Sequence, residues 1–178
     1  MAQSSIYGLM AEFDSPEALV AAARAAFAEG FRKMDGYSPF PVDGLAEALG
    51  FHRTRVPLIV LIGGIIGCLG GFFLQYWVSV IDYPINVGGR PLNSWPAFVP
   101  VTFELTILIA ALSAFLGVLA LNGLPMPYHP VFNVDRFELA SRHRFFLCIE
   151  SGDPKFDSDR TRKFLESVGS QGVYEVER

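Results

Sequence analysis

The chain has 178 residues and a formal net charge of −4, yet 51% of its residues are apolar, only 18% are charged, and its mean hydropathy is +0.35. That balance excludes a purely soluble protein, a nucleic-acid binder driven by basic charge and a large polytopic transporter. The imbalance is local: Val56 to Ile81 contains no Asp, Glu, Lys or Arg, and Pro91 to Val134 contains one, Glu104.

Read from the start, Met1 to Ser15 lacks the basic and apolar regions and the cleavage site of a secretory signal, so none is expected to be removed. Ile6 to Phe13 is a continuous apolar run suited to a buried strand. Asp14-Ser15-Pro16-Glu17 starts a helix, with Asp14 as the expected cap, proline in the first turn and Glu17 at the positive end. Leu19, Val20, Ala23, Ala26 and Phe27 share a face of it, and Gly30 is its expected stop. A weaker strand follows over 31–37. The stretch from Tyr37 to Leu45 has two prolines, and Asp43 is the expected cap of a short helix reaching Leu49. That helix is placed on the membrane surface.

The first span, 56–81, and the second, 98–122, each exceed the ~20 residues that cross a hydrocarbon core. A loop over 82–97, rich in Pro and Gly, joins them. Arg53, Arg55, Arg136, Arg142 and Arg144 flank the outer ends, against Arg90 alone in the loop, so both termini are expected in the cytoplasm. Tyr76, Trp77, Tyr83 and Trp95 gather on the loop side as an interfacial belt. Gly63, Gly67 and Gly71 recur every fourth residue and form a groove for close helix approach. Ala110, Ser113, Ala114 and Gly117 repeat that spacing in the second span. One reading is that these two faces pack on each other; five glycines, counting Gly64 and Gly70, exceed what one partner helix requires, so packing against helices of other subunits is the favoured expectation. Glu104 has two readings. One is a proton-path or quinone-site acid. The other, favoured, is a packing carboxylate bonded to a neighbour's donor, or one reaching for the interface.

After the hairpin the pattern repeats. Arg144 to Glu150 reads as a strand, Asp157 or Ser158 caps a helix ending at Gly169, and Val173 to Val176 is the last strand. Asp153 to Asp159 lacks calcium-loop spacing and reads as a solvated turn before that helix. The fold class is thus an α+β membrane protein: a split ferredoxin-like cytoplasmic domain (βαβ + βαβ) over 1–55 and 123–178, interrupted by a transmembrane hairpin. Cys68 and Cys148 form no Cys-x-x-Cys, and His52, His129 and His143 lie outside the spans. A redox centre held by this chain is therefore not expected.

Three separated motifs carry a resemblance. Tyr37-Ser38-Pro39-Phe40-Pro41-Val42 with Gly44-Leu45, Asn86-Val87-Gly88-Gly89-Arg90-Pro91, and the run from Pro96 to Thr106 resemble the ActD subunit of bacterial alternative complex III, as does the order of halves and hairpin. The resemblance implies an accessory, non-catalytic subunit of a quinol-oxidising respiratory complex in the bacterial inner membrane, with no cofactor of its own. Haem and iron–sulfur clusters would sit in partners: two large quinol-site membrane subunits, an iron–sulfur subunit, and multihaem and monohaem cytochromes. The competing reading is a membrane-anchored sensor or ligand-binding module, which would want a polar pocket or a phosphate-binding glycine loop.

Overall fold

The computed structural model describes residues 6–178; residues 1–5, part of the stretch read for a signal peptide, lie outside the described residues. The elements are β1 (Ile6–Phe13), α1 (Pro16–Glu29), β2 (Met34–Tyr37), α2 (Leu45–Ala48), α3 (Val56–Tyr76), α4 (Trp95–Leu121), β3 (Phe145–Glu150), α5 (Ser158–Ser167) and β4 (Gly172–Glu177). A π-helical turn, Trp77–Asp82, prolongs α3, and 3₁₀ turns cover Pro130–Asn133 and Asp135–Ser141. The chain divides into two compact units. One ends at Arg53 and resumes at Pro127; the other is Thr54–Met126.

In the first unit four strands form one antiparallel sheet in the order β2-β3-β1-β4. The two halves of the chain interleave, since β1 lies between β3 and β4 and β3 lies between β1 and β2. Tyr37, the last residue of β2, pairs with Phe146 near the start of β3. The chain therefore leaves the sheet and returns to it at neighbouring points.

Both faces of this sheet are covered, which is why Ile6–Phe13 is apolar throughout rather than alternating. With period two along β1, Leu9, Ala11 and Phe13 pack against the α1 and α5 side with Leu19, Ala23, Ala26 and Leu165. Met10 points to the other face, where it meets Phe146, Cys148 and Val176. That second face is closed by Val131, Val134, Phe137 and Ala140. These recur every third residue, the period of a 3₁₀ helix, so the two turns present one apolar edge.

The helix ends follow local chemistry. Ser15, not Asp14, caps α1: its Oγ accepts from the Ala18 N–H at 3.2 Å, one residue later than the sequence suggests. Gly30 closes the helix at φ 106°. Asp157 caps α5 by accepting from the Arg160 N–H at 2.9 Å. The short helix α2 departs from expectation at its start. Gly44 stands at its N-cap in place of Asp43, and the apolar edge of Leu45, Ala48 and Leu49 packs into the sheet's core. Gly36 on β2 admits them, since a Cβ there would lie 3.2 Å from the Leu45 side chain.

In the second unit, Val56–Asp82 and Trp95–Leu121 are each 27 residues long with mean hydropathy 2.3 over their most apolar stretch. At 1.5 Å per residue each reaches about 40 Å, ample for a ~30 Å hydrocarbon core. Pro57 and Pro96 occupy first-turn positions, where a missing N–H costs no helical bond.

Phe137 is 8% exposed and meets the rings of Tyr37, Phe132 and Phe146 edge-on. Replacing it with alanine is expected to lower the stability of the sheet domain by about 3–5 kcal/mol. The exposed Phe132→Ala should cost much less. Hydrogen exchange of the β3 amides in the full chain measures both.

Candidate functional site

Two places in the chain concentrate unusual chemistry, the contact surface of the hairpin and the buried charges of the sheet domain. In the hairpin, Gly63, Gly67 and Gly71 are the buried residues of α3, and α4 lies directly on them. A Cβ at Gly67 would fall 2.5 Å from the Leu105 carbonyl oxygen and 2.9 Å from the Thr106 Cα. One at Gly63 would meet Ser113 Oγ at 2.1 Å, and one at Gly71 would sit 3.3 Å from the Thr102 Cα. Gly64 faces Ala110, Gly117 faces Ile59, and Ala114 is half-buried. The expectation that this groove receives helices of other subunits is thus corrected: the chain's own second span fills it. Tethering by the short loop over 83–94 explains the outcome, since an intramolecular partner starts at high effective concentration. Gly70, by contrast, faces open space.

The sequence reading missed Gln75. Its Nε2 donates to the Phe98 carbonyl at 2.9 Å and lies 3.1 Å from both the Gly71 carbonyl and Thr102 Oγ1. This polar clasp ties the loop end of the hairpin, next to Tyr76 and Trp77. The signal was available, because Gln75 is the single amide side chain within 56–81. Glu104 is not part of the α3–α4 contact and stands exposed on α4. Beside the contact, an apolar depression of about 430 Å³ opens between Cys68, Phe72 and Phe103.

In the sheet domain, Glu12 on β1 is 1% exposed and is held by groups from the far end of the chain. Arg136 donates to both of its oxygens at 2.6 Å, Tyr174 Oη donates at 3.1 Å, and Arg144 Nε approaches to 3.4 Å. Arg144 also pairs with Asp14. The Arg136 hydrogen bonds hold the Glu12 carboxyl below the usual range against the cost of burial.

On the same unit, Tyr7 Oη donates to Glu150 Oε1 at 3.2 Å and lies 3.3 Å from His129 Nε2. Burial, then the charge and hydrogen bond of Glu150, pushes the Tyr7 hydroxyl up. Nearby Asp35 is raised by burial and by Glu150, with His129 opposing. Cys148 is pushed up to about 12 by burial and by the same two carboxylates, and both cysteines are free thiols. Asp153 departs from the solvated-turn reading. It is 5% exposed, and its carboxylate accepts from the backbone N–H groups of Arg32, Lys33 and Lys155 at 2.6–2.8 Å. Burial raises Asp153, but those three bonds win and hold it low. Among the described residues, no group of three or more His, Cys, Asp or Glu is placed to hold a metal ion.

An antiparallel sheet domain whose chain is interrupted by two apolar helices, each long enough to cross a bilayer, defines a small membrane-anchored α+β protein. The family model described as alternative complex III, ActD subunit, matches residues 7–175, and the chain belongs to that family. It is a subunit of a respiratory, electron-transporting membrane complex. No curated protein matches the chain.

Gly64 and Ala110 offer a direct check of the hairpin, because a Cβ on the glycine would lie 3.8 Å from that of the alanine. The separation suits a disulfide. Gly64→Cys with Ala110→Cys, in a Cys68→Ser background, should oxidise within one chain and leave a monomer on non-reducing gels. Adding Gly67→Ala should slow that reaction markedly, whereas adding Gly70→Ala should not.

The two carboxylates predict opposite pH signatures. Glu12 is lowered in the fold, so the stability it contributes is complete above about pH 4 and is lost as pH falls through its folded value. Asp35 is raised, so it weakens the fold at neutral pH and stops doing so in acid. Asp35→Asn should therefore raise the thermal midpoint at pH 7, with the gain vanishing toward pH 3. Glu12→Gln should lower the midpoint at pH 7 and flatten the acid limb. Circular dichroism melts across pH read both.

Proposed function

We propose that this chain is a non-catalytic, cofactor-free accessory subunit of alternative complex III that stabilises the quinol-site membrane subunits. The observation that carries the reading is the family match over residues 7–175, taken with a hairpin whose close-packing face is spent on itself. What remains on α3 and α4 is an apolar outer surface, including Leu61, Leu69, Phe73, Phe103, Phe115 and Leu116, each more than half exposed. Such a surface serves lipid or the helices of a larger membrane protein. The arginines beside the outer hairpin ends favour both termini in the cytoplasm of a bacterial inner membrane. In this reading the sheet domain is a split ferredoxin-like unit, a view supported by its antiparallel order β2-β3-β1-β4 with one helix after β1 and one after β3. Quinol oxidation, haem and iron–sulfur chemistry belong to the partners: the quinol-site membrane subunits, the iron–sulfur subunit and the multihaem and monohaem cytochromes.

Deleting the gene and purifying the complex through a tag on another subunit tests this. The remaining subunits should keep their haem spectrum while the complex loses quinol:acceptor activity on storage in detergent faster than the complete assembly. A complex whose fresh preparation lacks a haem or iron–sulfur signal would instead place a cofactor on this chain. One of undiminished lifetime would remove the stabilising role.

A further inference from the structure

We infer that the face of α4 carrying Glu104 docks against a transmembrane helix of a partner subunit that presents a lysine or arginine to this carboxylate. The inference rests on the chain being a subunit of a larger membrane complex and adds which face is used and what chemistry meets it. Three features of α4 lead there.

The first is direction. At 3.6 residues per turn, Glu104 lies about 160° around α4 from the row of Thr102, Ile109 and Ser113. That row runs along the α3 side, where Thr102 and Ile109 approach Gly71 and Gly67 and Ser113 approaches Gly63. Glu104 therefore points away from the hairpin's own contact, and it is exposed in the chain taken alone.

The second is depth. Trp95–Leu121 has its midpoint at Leu108, so Glu104 sits only about 6 Å along the axis from the middle of the helix. A hydrocarbon half-thickness is about 15 Å, which leaves the carboxylate too deep for a short glutamate side chain to reach water. A carboxylate left there without a partner is among the most expensive groups a span can carry.

The third is what the face lacks. Ala97, Pro100, Glu104, Ile107, Ala111 and Phe115 line it, and none has a side-chain donor. Pro100 has no N–H, so the Pro96 carbonyl one turn earlier also loses its helical bond. The glutamate side chain leans toward that same turn, because helical side chains cover the turn before their own Cα. When ionised, Glu104 thus gives the face a negative charge beside a second acceptor, and no other side chain there offers a proton. Backbone N–H groups of a neighbouring helix are already used within that helix, so the donors must come from side chains. A lysine or arginine supplies several N–H groups and the opposite charge, where a hydroxyl supplies one and none. Ala97 and Ala111, seven residues either side of Glu104, keep the flanks low enough for a helix to come close.

The test uses the whole complex purified through a tag on another subunit. A benzophenone amino acid at Ala111 or Ile107, irradiated in the membrane, should cross-link this chain to a partner segment with a lysine or arginine within a turn of the adduct. Glu104→Leu should cut retention of the chain in the purified complex roughly a hundredfold, the scale expected when a buried ion pair loses one member. Glu104→Lys should do the same, and exchanging the cross-linked partner cation for glutamate should restore it. Adducts with lipid alone, a cross-linked segment without a cation, full retention of Glu104→Leu, or no rescue by the charge exchange would each overturn the inference while leaving the subunit reading in place. Absence of the unmodified chain from the purified complex would overturn both.

Discussion

At Gly67 the second hairpin helix comes so near that one added methyl would stand 2.5 Å from a backbone oxygen. Much of the rest of the chain depends on that closeness. The sheet is encoded in two pieces separated by about a hundred residues, and β1 cannot take its place between β3 and β4 until the second piece arrives. A flexible connection of that length would carry a substantial closure entropy. Two helices locked together by bare glycine against backbone, with Gln75 tying their far end, replace it by a stiff insertion whose two outer ends are held together. Within the sheet Tyr37 pairs with Phe146, so the chain departs from one strand and resumes beside it.

The sheet domain then secures the joint electrostatically. Glu12 comes from the first piece and Arg136, Arg144 and Tyr174 from the second, so each of these contacts exists only when both pieces have met. Asp153 does the same in reverse, a carboxylate of the second piece capping backbone donors at Arg32 and Lys33 of the first. Buried pairs of this kind add little net stability against an apolar alternative. What they contribute is registration, because a slipped pairing would strand a buried carboxylate.

Much of this was legible in the residues. Charge-free runs exposed the hairpin, a continuous apolar strand announced a sheet covered on both faces, and Pro16 with its neighbours located α1 to within a residue. The cap shifted from Asp14 to Ser15, a choice between adjacent side-chain acceptors that spacing alone does not decide. What covers the second sheet face went unread because Val131, Val134, Phe137 and Ala140 repeat with period three, which neither the helical nor the strand template detects. The glycine face was recognised, but of its two candidate partners the favoured one, helices of other subunits, is not the one that fills it. Periodicity reports that a close approach occurs, and it is silent on which helix makes it. Asp153 illustrates the same limit, since a carboxylate among polar neighbours looks solvated until the donors from residues 32 and 33 are seen to fold onto it.

The filling of the glycine face by α4 shapes the outward surface. With Gly63, Gly67 and Gly71 consumed by α4, most of the hairpin's outer surface is built of large aliphatic and aromatic side chains. Lipid chains solvate such faces nearly as well as protein does, so apolar surface alone gives a membrane subunit little reason to choose one neighbour over another. Selectivity in that setting has to come from the few groups lipid cannot satisfy. In the two spans of this chain the amide N–H groups of Gln75 are satisfied internally, while the acidic residue at 104 stands exposed. In hydrocarbon an unsatisfied polar group discriminates between neighbours more strongly than many interchangeable apolar contacts do.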